Sequence, residues 1–276
     1  MARRRKKKGN KFMGGTIVLL IILALSFFYN RQQQPVDNKY GDISLELAIP
    51  QFTQSVKSQI IEHIGYTVSY NEQRRNANWV AYELTAEEVL GEDPRDNKFV
   101  TDPLVVGRQA TTNDYKRSGW DRGHLAPAAD MKWSSQAMEE SFYMSNISPQ
   151  NHNLNSGVWK SIEELVRDNA SRYGKVLVVT GPIFTDKNGL GTIGDNRVII
   201  PNGFYKVLLM FDNGYHGIGF YCENKSGRKA LTEYALSIDE IESLTGIDFF
   251  YKLPDEIETT VEAEYDFGMW DNTTEK

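Results

Sequence analysis

The sequence predicts an α+β domain, an antiparallel or mixed β-sheet core with flanking helices, preceded by one N-terminal transmembrane helix. Three observations predict it. Short β-branched and aromatic runs recur at 66–70, 79–84, 176–180, 204–211 and 215–221, each the length of a strand. One segment, Val158, Ile162, Leu165, Val166 and Ala170, carries apolar residues at helical spacing. A charge-free apolar stretch near the start follows a run of cations.

At the N-terminus, residues 1–11 hold seven cations, and residues 12–29, with Ile17 to Leu25 as their apolar heart, hold no charge. Eighteen residues is near the lower limit for spanning a bilayer. Cations before the stretch and only Arg31 shortly after it orient the basic end to the cytoplasm and the body outside, periplasmic or extracellular. A cleaved signal peptide is the rival reading, since Ala24-Leu25-Ser26 fits a small-x-small site; Phe27-Phe28-Tyr29 extends the apolar run past it. Residues 30–55 read as a polar linker and 56–254 as the folded domain. Its first two strands are joined by a polar hairpin over 71–78, and the last two by Asp212-Asn213-Gly214, a tight-turn sequence. Helices are expected over 157–172 and 237–244. Residues 255–276 form an acidic tail whose Tyr265, Phe267 and Trp270 hint that part of it docks.

Charge bounds the function. The first 31 residues take eight of the 31 Lys and Arg, which leaves 23 basic against 37 acidic residues, a net −14 for the rest. Such a body is no basic glove for nucleic acid, so any polyanion binding rests on a local patch or a metal ion. The single cysteine, Cys222, supplies neither a disulfide nor a zinc framework and reads as a small buried residue.

Chemistry concentrates between 95 and 167. Asn155 stands where a helix cap is expected, and capping is its plainest reading. Its other reading is an oxygen ligand of a hard cation, with Glu163 two turns on holding a metal-bound water and Arg167 one turn beyond Glu163. His124, in Asp121-Arg122-Gly123-His124, is the candidate base, because a neutral imidazole removes a proton from water near pH 7. His152 is the alternative base, and His63 and His216 read as structural or surface residues. The histidine and acid spacings match no HExxH-type zinc motif. Trp120, Trp133 and Tyr143 read first as core and second as stacking platforms for bases.

The segments Ser118-Gly119-Trp120-Asp121-Arg122-Gly123-His124-Leu125-Ala126-Pro127, Phe142-Tyr143-Met144-Ser145-Asn146-Ile147-Ser148-Pro149-Gln150 and Leu154-Asn155-Ser156-Gly157-Val158-Trp159 carry a resemblance. In this order, with Thr180-Gly181-Pro182 after them, they resemble the DNA/RNA non-specific endonuclease family over roughly 60–255. The resemblance implies a ββα-metal (His-Me finger) active site and sequence-non-specific hydrolysis of DNA and RNA. His124 would be the general base, Asn155 the direct ligand of one Mg2+ (or Mn2+), and Glu163 would order the metal's waters. Asn146 would steady the site, Arg167 would hold Glu163 or the phosphate, and Arg122 would contact phosphate. A transition-state arginine is also implied, with Arg95 ahead of Arg108 and Arg117. Two other functions stay open, a catalytically inactive nucleic-acid-binding relative and a phosphodiesterase of smaller substrates. A homodimer and an inhibitor protein complete the expected partners, besides the membrane.

Overall fold

Alternation along the central strands builds two cores from one sheet. In β-rich runs successive side chains point to opposite faces, and here both faces are apolar. Val176 and Val178 enter one core while Leu177 and Val179 enter the other; Phe204, Leu208 and Met210 oppose Tyr205, Val207 and Leu209 in the same way. A sheet apolar on both sides must be covered on both sides, and this one is. The computed structural model describes residues 43–227 and 229–271, which belong to one compact unit, 40–276.

In chain order the sheet and its insertion are β1 (Gln59–Glu62), β2 (Thr67–Asn71), β3 (Asn76–Thr85), then β4 (Asp121–His124) and β5 (Ile147–Gln150). They are followed by α1 (Lys160–Tyr173), β6 (Lys175–Ile183), β7 (Gly203–Phe211), β8 (Tyr215–Glu223), β9 (Ala235–Leu236), α2 (Ile238–Thr245) and α3 (Asp255–Ala263). The seven-stranded sheet has the order β1-β2-β3-β6-β7-β8-β9, and each neighbouring pair is antiparallel. The expected α+β class with an antiparallel sheet is therefore observed. All the chemistry-bearing segments lie in the excursion between β3 and β6, two strands that pair directly. That excursion pairs β4 with β5 antiparallel and returns through α1, a ββα arrangement laid against the sheet.

Helix α1 buries Ile162, Leu165, Val166 and Ala170 in the first core, the stripe the sequence predicts. On the opposite face lie α2, α3 and the short helix Leu45–Ala48, with Ile43, Ala48, Ile238, Ile241 and Val261 in the second core. Both ends of the domain thus reach past the boundaries expected from sequence. Residues 43–52, read as linker, bury Ile43 and Ala48 and pair Gln51–Phe52 with Ile247–Asp248, because their apolar side chains cover the second face. Much of the segment read as an acidic tail is ordered: α3 is helical, and Trp270 is 1% exposed in the first core. Among the described residues no helix is long and apolar enough to cross a membrane, and the anchor expected at 12–29 lies outside them.

Candidate active site

His124 ends β4, one residue pair from the end of a hairpin whose register sets Arg122 opposite Pro149 and His124 opposite Ile147. Period-two alternation puts Arg122 and His124 on the same face, and both line one cleft of about 260 Å3. Gly123 between them is required by space, since a Cβ there would run into the Gln150 side chain. Phe142 meets the His124 ring edge-on with centroids 4.9 Å apart, and Phe99 stands 5.5 Å away. His124 Nε2 is buried and has no hydrogen-bond partner. Burial, then the positive charges of Arg95 and Arg122, push its pKa down to about 3, so the imidazole is neutral at pH 7.

The same cleft is lined by Arg95, Asn155, Lys160, Glu163 and Arg167. Of the three upstream arginines considered, Arg95 alone lines it, with its guanidinium 5.1 Å over the Phe142 ring; Arg108 and Arg117 do not. Asn155 is not a cap. Asn151 takes that role, accepting from the Asn153 and Leu154 amides, and Asn155 opens a π-turn, Asn155–Trp159, broken at Gly157 before α1 begins. The Asn155 Nδ2 donates to Asp121 Oδ2 at 3.0 Å. A carboxylate only accepts, so this bond fixes which way the amide faces and leaves Oδ1 as the oxygen available to the cleft. Asp121 Oδ2 also meets His152 Nδ1 at 2.9 Å. His152 is exposed and does not line the cleft.

Glu163 is pushed up to about 7 by burial, with Lys206 acting against that and Asp130 adding to it. Arg167 donates to Asp130 Oδ1 at 2.7 Å, and Tyr82 donates to Asp130 Oδ2 at 2.8 Å. Lys206, fully buried on β7, lies 4.8 Å over the Trp159 ring and reaches the Leu125 carbonyl at 3.4 Å. Trp159 Nε1 in turn donates to the His124 carbonyl at 3.4 Å. Asn146 stands behind the cleft instead of lining it: its side chain accepts from the Ala126 amide and donates to the Ala126 and Ser141 carbonyls, which pins the chain that leaves His124. Asp130, Lys206, Tyr82 and Trp159 escape the sequence reading. A lone acid within Leu125 to Met131 and a lone lysine within Phe204 to Phe211 were the signals present, since an unpaired charge in an apolar run must find a partner.

A second cleft of about 510 Å3 shares Phe99, Arg122 and Asn155 with the first and adds Lys116, Tyr115 and Trp120. Trp120 therefore borders open space, while Trp133 packs on the core and Tyr143 stands against buried His63. His63 is structural, bonded to Asp102 at 2.9 Å. Cys222 is buried, and burial raises its thiol to about 12.

The model of the DNA/RNA non-specific endonuclease family matches residues 43–256. Nuclease EXOG of Mus musculus is 35% identical over 208 residues, covering 69% of this chain and 56% of that protein. Endonuclease G of Homo sapiens is 38% identical over 163 residues, 55% of each chain. Nuclease C1 of Cunninghamella echinulata var. echinulata is 34% identical over 209 residues, 70% of this chain and 83% of that one. The chain thus spans little more than half the length of the two mitochondrial relatives. Among solved structures, a chain of the EndoG/EndoGI complex superposes with a TM-score of 0.68 at 28% identity, covering 77% of this chain and 92% of that one.

Proposed function

This chain belongs to the DNA/RNA non-specific endonuclease family, and we propose that it hydrolyses phosphodiester bonds of DNA and RNA with His124 as the general base. One observation carries the reading: a neutral imidazole, His124, lines a cleft that also collects Arg95, Asn155, Glu163 and Arg167. A neutral His124 accepts a proton from the water that attacks phosphorus. The same burial and arginines make it a weak base, and an anionic phosphate entering between Arg95 and Arg122 offsets their charge and restores its basicity.

Arg95 supplies positive charge to the crowded phosphorus of the transition state, and Arg122, which lines both clefts, holds a phosphate along the adjoining one. Arg167 is committed to Asp130 and acts by positioning Glu163. The donor set fits a hard hydrated cation, because Asn155 has its nitrogen tied and its oxygen available, and Glu163 adds a carboxylate to the same cleft. Asn155 and, through water, Glu163 would hold Mg2+, or Mn2+ in its place. Bound there, the cation would offset charge on the phosphate and the leaving 3′-oxygen. None of these groups reads a base edge, which supports little sequence preference.

The reading extends to an anchor at 12–29 with the body outside the cytoplasm, supported by the cation asymmetry around that stretch. An inhibitor protein as partner is supported by the likeness to a chain of the EndoG/EndoGI complex. The purified protein should nick plasmid DNA and degrade RNA in Mg2+ and stop in EDTA. His124→Ala should lower kcat/KM by roughly 10^2- to 10^4-fold while the protein still folds and unfolds cooperatively. Undiminished cleavage by that variant removes His124 as the base, and cleavage that survives EDTA removes the metal.

A further inference from the structure

On the face of the sheet opposite the cleft, five carboxylates converge from three elements. Asp239 and Glu242 lie on α2, Asp248 closes the short strand after it, and Glu258 and Glu262 stand one turn apart on α3. One oxygen each of Asp239, Glu242 and Glu262 lie within 4.8 Å of one another, and the same holds for Asp248, Glu258 and Glu262. Glu262 belongs to both groups. It is 7% exposed, and its Oε1 is buried without a hydrogen-bond partner. Among the described residues none of the five carboxylates has a Lys or Arg within ion-pair distance. Glu242 accepts the Phe249 amide and Asp248 accepts Gln51 Nε2, but neither bond brings a positive charge.

We propose that this cluster binds a divalent cation of the Ca2+ type at Glu262, the ligand common to both groups, and that the ion fastens α3 to the body of the domain. Oxygens within 4.8 Å of one another can share one ion, and a site made of carboxylates suits Ca2+, which takes about six to eight oxygen ligands in a flexible shell, where Mg2+ keeps several of its waters. A cluster of surface acids alone would carry no such meaning, since exposed acids satisfy themselves with water. The buried, unpartnered oxygen of Glu262 has no water shell to do so. Left without a cation, the cluster is costly: burial, then Glu242, Glu258, Asp239 and Asp248, push Glu262 up to about 9, and burial with Asp248, Asp239 and Glu258 pushes Glu242 to about 7. Glu258 and Glu262 also repel along their own helix at i,i+4. Both lie beyond the residues that the endonuclease family model matches, whereas Asp239, Glu242 and Asp248 lie within them.

Thermal unfolding of the chelator-stripped full chain decides it, read with CaCl2 or MgCl2 added to the parent and to three variants. Asn155→Ala removes the cleft ligand, Glu262→Gln keeps the central side chain's shape without its charge, and Asp239→Asn alters an exposed ligand that the fold does not need. Calcium should raise the melting temperature of the parent and of Asn155→Ala by several degrees. Glu262→Gln should show no calcium shift while melting, without calcium, no lower than the parent. Asp239→Asn should need a several-fold higher Ca2+ concentration for half its shift. The proposal is overturned if the parent does not respond, if the response survives Glu262→Gln, or if Asn155→Ala abolishes it. An equal response to Mg2+ overturns the assignment to calcium.

Discussion

His124 and Glu163 are tuned in opposite senses by one environment. Burial favours the neutral form of each, which suits the base proposed at His124 and opposes the charged form proposed for Glu163. Lys206 acts against this for Glu163: its ammonium, sealed under Trp159, draws the carboxyl down toward ionisation, and Glu163 in turn draws the lysine up from the value that burial alone would give. Lys206→Met withdraws that cation, so Glu163 holds its proton to higher pH. The acid limb of kcat/KM, which reports the free enzyme, should move upward, with activity at pH 7 falling by about tenfold for each pH unit the limb moves. A pH–rate profile of parent and variant reads this directly, and an unmoved limb with a lower plateau would make Lys206 merely structural. His124, Arg122, Asn155, Glu163 and Arg167 are legible in the chain because they crowd into short polar motifs around one helix. Lys206 and Asp130 are not, because each sits alone in an apolar run and acquires meaning only when β7 is laid beneath α1.

At the scale of elements, the site is a hairpin and a helix hung between two paired strands, and buried polar pins hold it there. Asp102 is one such pin. It accepts from Ser145 Oγ at 2.6 Å and from the Leu104 amide at 2.9 Å, and it pairs with His63 at 2.9 Å, tying the β1–β2 turn to the loops that flank the finger. Burial would raise its pKa, but these hydrogen bonds outweigh burial and hold it below the ordinary carboxylate value. A carboxyl depressed in the folded state stabilises fully above its unfolded pKa of about 3.9, and that contribution is lost as pH falls through the folded pKa. Asp102→Asn should therefore cost about 2–4 kcal/mol at pH 7, and the gap to the parent should narrow below about pH 4. Urea denaturation at pH 7 and pH 3 tests it; a gap that stays constant means the negative charge is not what stabilises. Such pins are illegible in sequence, since Asp102 and His63 are 39 positions apart. So is the π-turn: apolar spacing from Val158 to Ala170 predicts the buried stripe of α1 correctly, but it does not report that Asn151 caps and Gly157 breaks the helix. Strand β1 is missed for a similar reason, as an edge strand with Ile60 55% exposed alternates too weakly to stand out.

Across the whole molecule, charge is sorted by face. Four cations, Arg95, Arg122, Lys160 and Arg167, line a cleft in a chain of net charge −6, while five carboxylates gather on the far side of the sheet. The segment that carries two of those carboxylates continues across to the first core, where the short helix Phe267–Trp270 docks beside α1. Its acidity predicts a solvated tail, but its aromatics decide the outcome. Trp270 buries its ring and accepts Asn169 Nδ2 at 3.0 Å, Tyr173 donates to the Met269 carbonyl at 3.2 Å, and Phe267 meets Phe220 edge-on. These contacts are made by Asn169 and Tyr173 of α1 and not by Glu163 or Arg167. Truncation after Glu264 removes them and leaves α3 in place. Losing one buried tryptophan should cost about 3–5 kcal/mol, and a chain of this size should then melt roughly 6–20 °C lower. Cleavage at 25 °C should stay within a few-fold of the parent, because Arg167 remains held through Asp130 and Tyr82. Calorimetry beside a plasmid-nicking assay separates the two effects. An unchanged melting temperature would mean the aromatic docking contributes nothing, and a loss of cleavage at an unchanged melting temperature would mean the segment acts on the cleft itself.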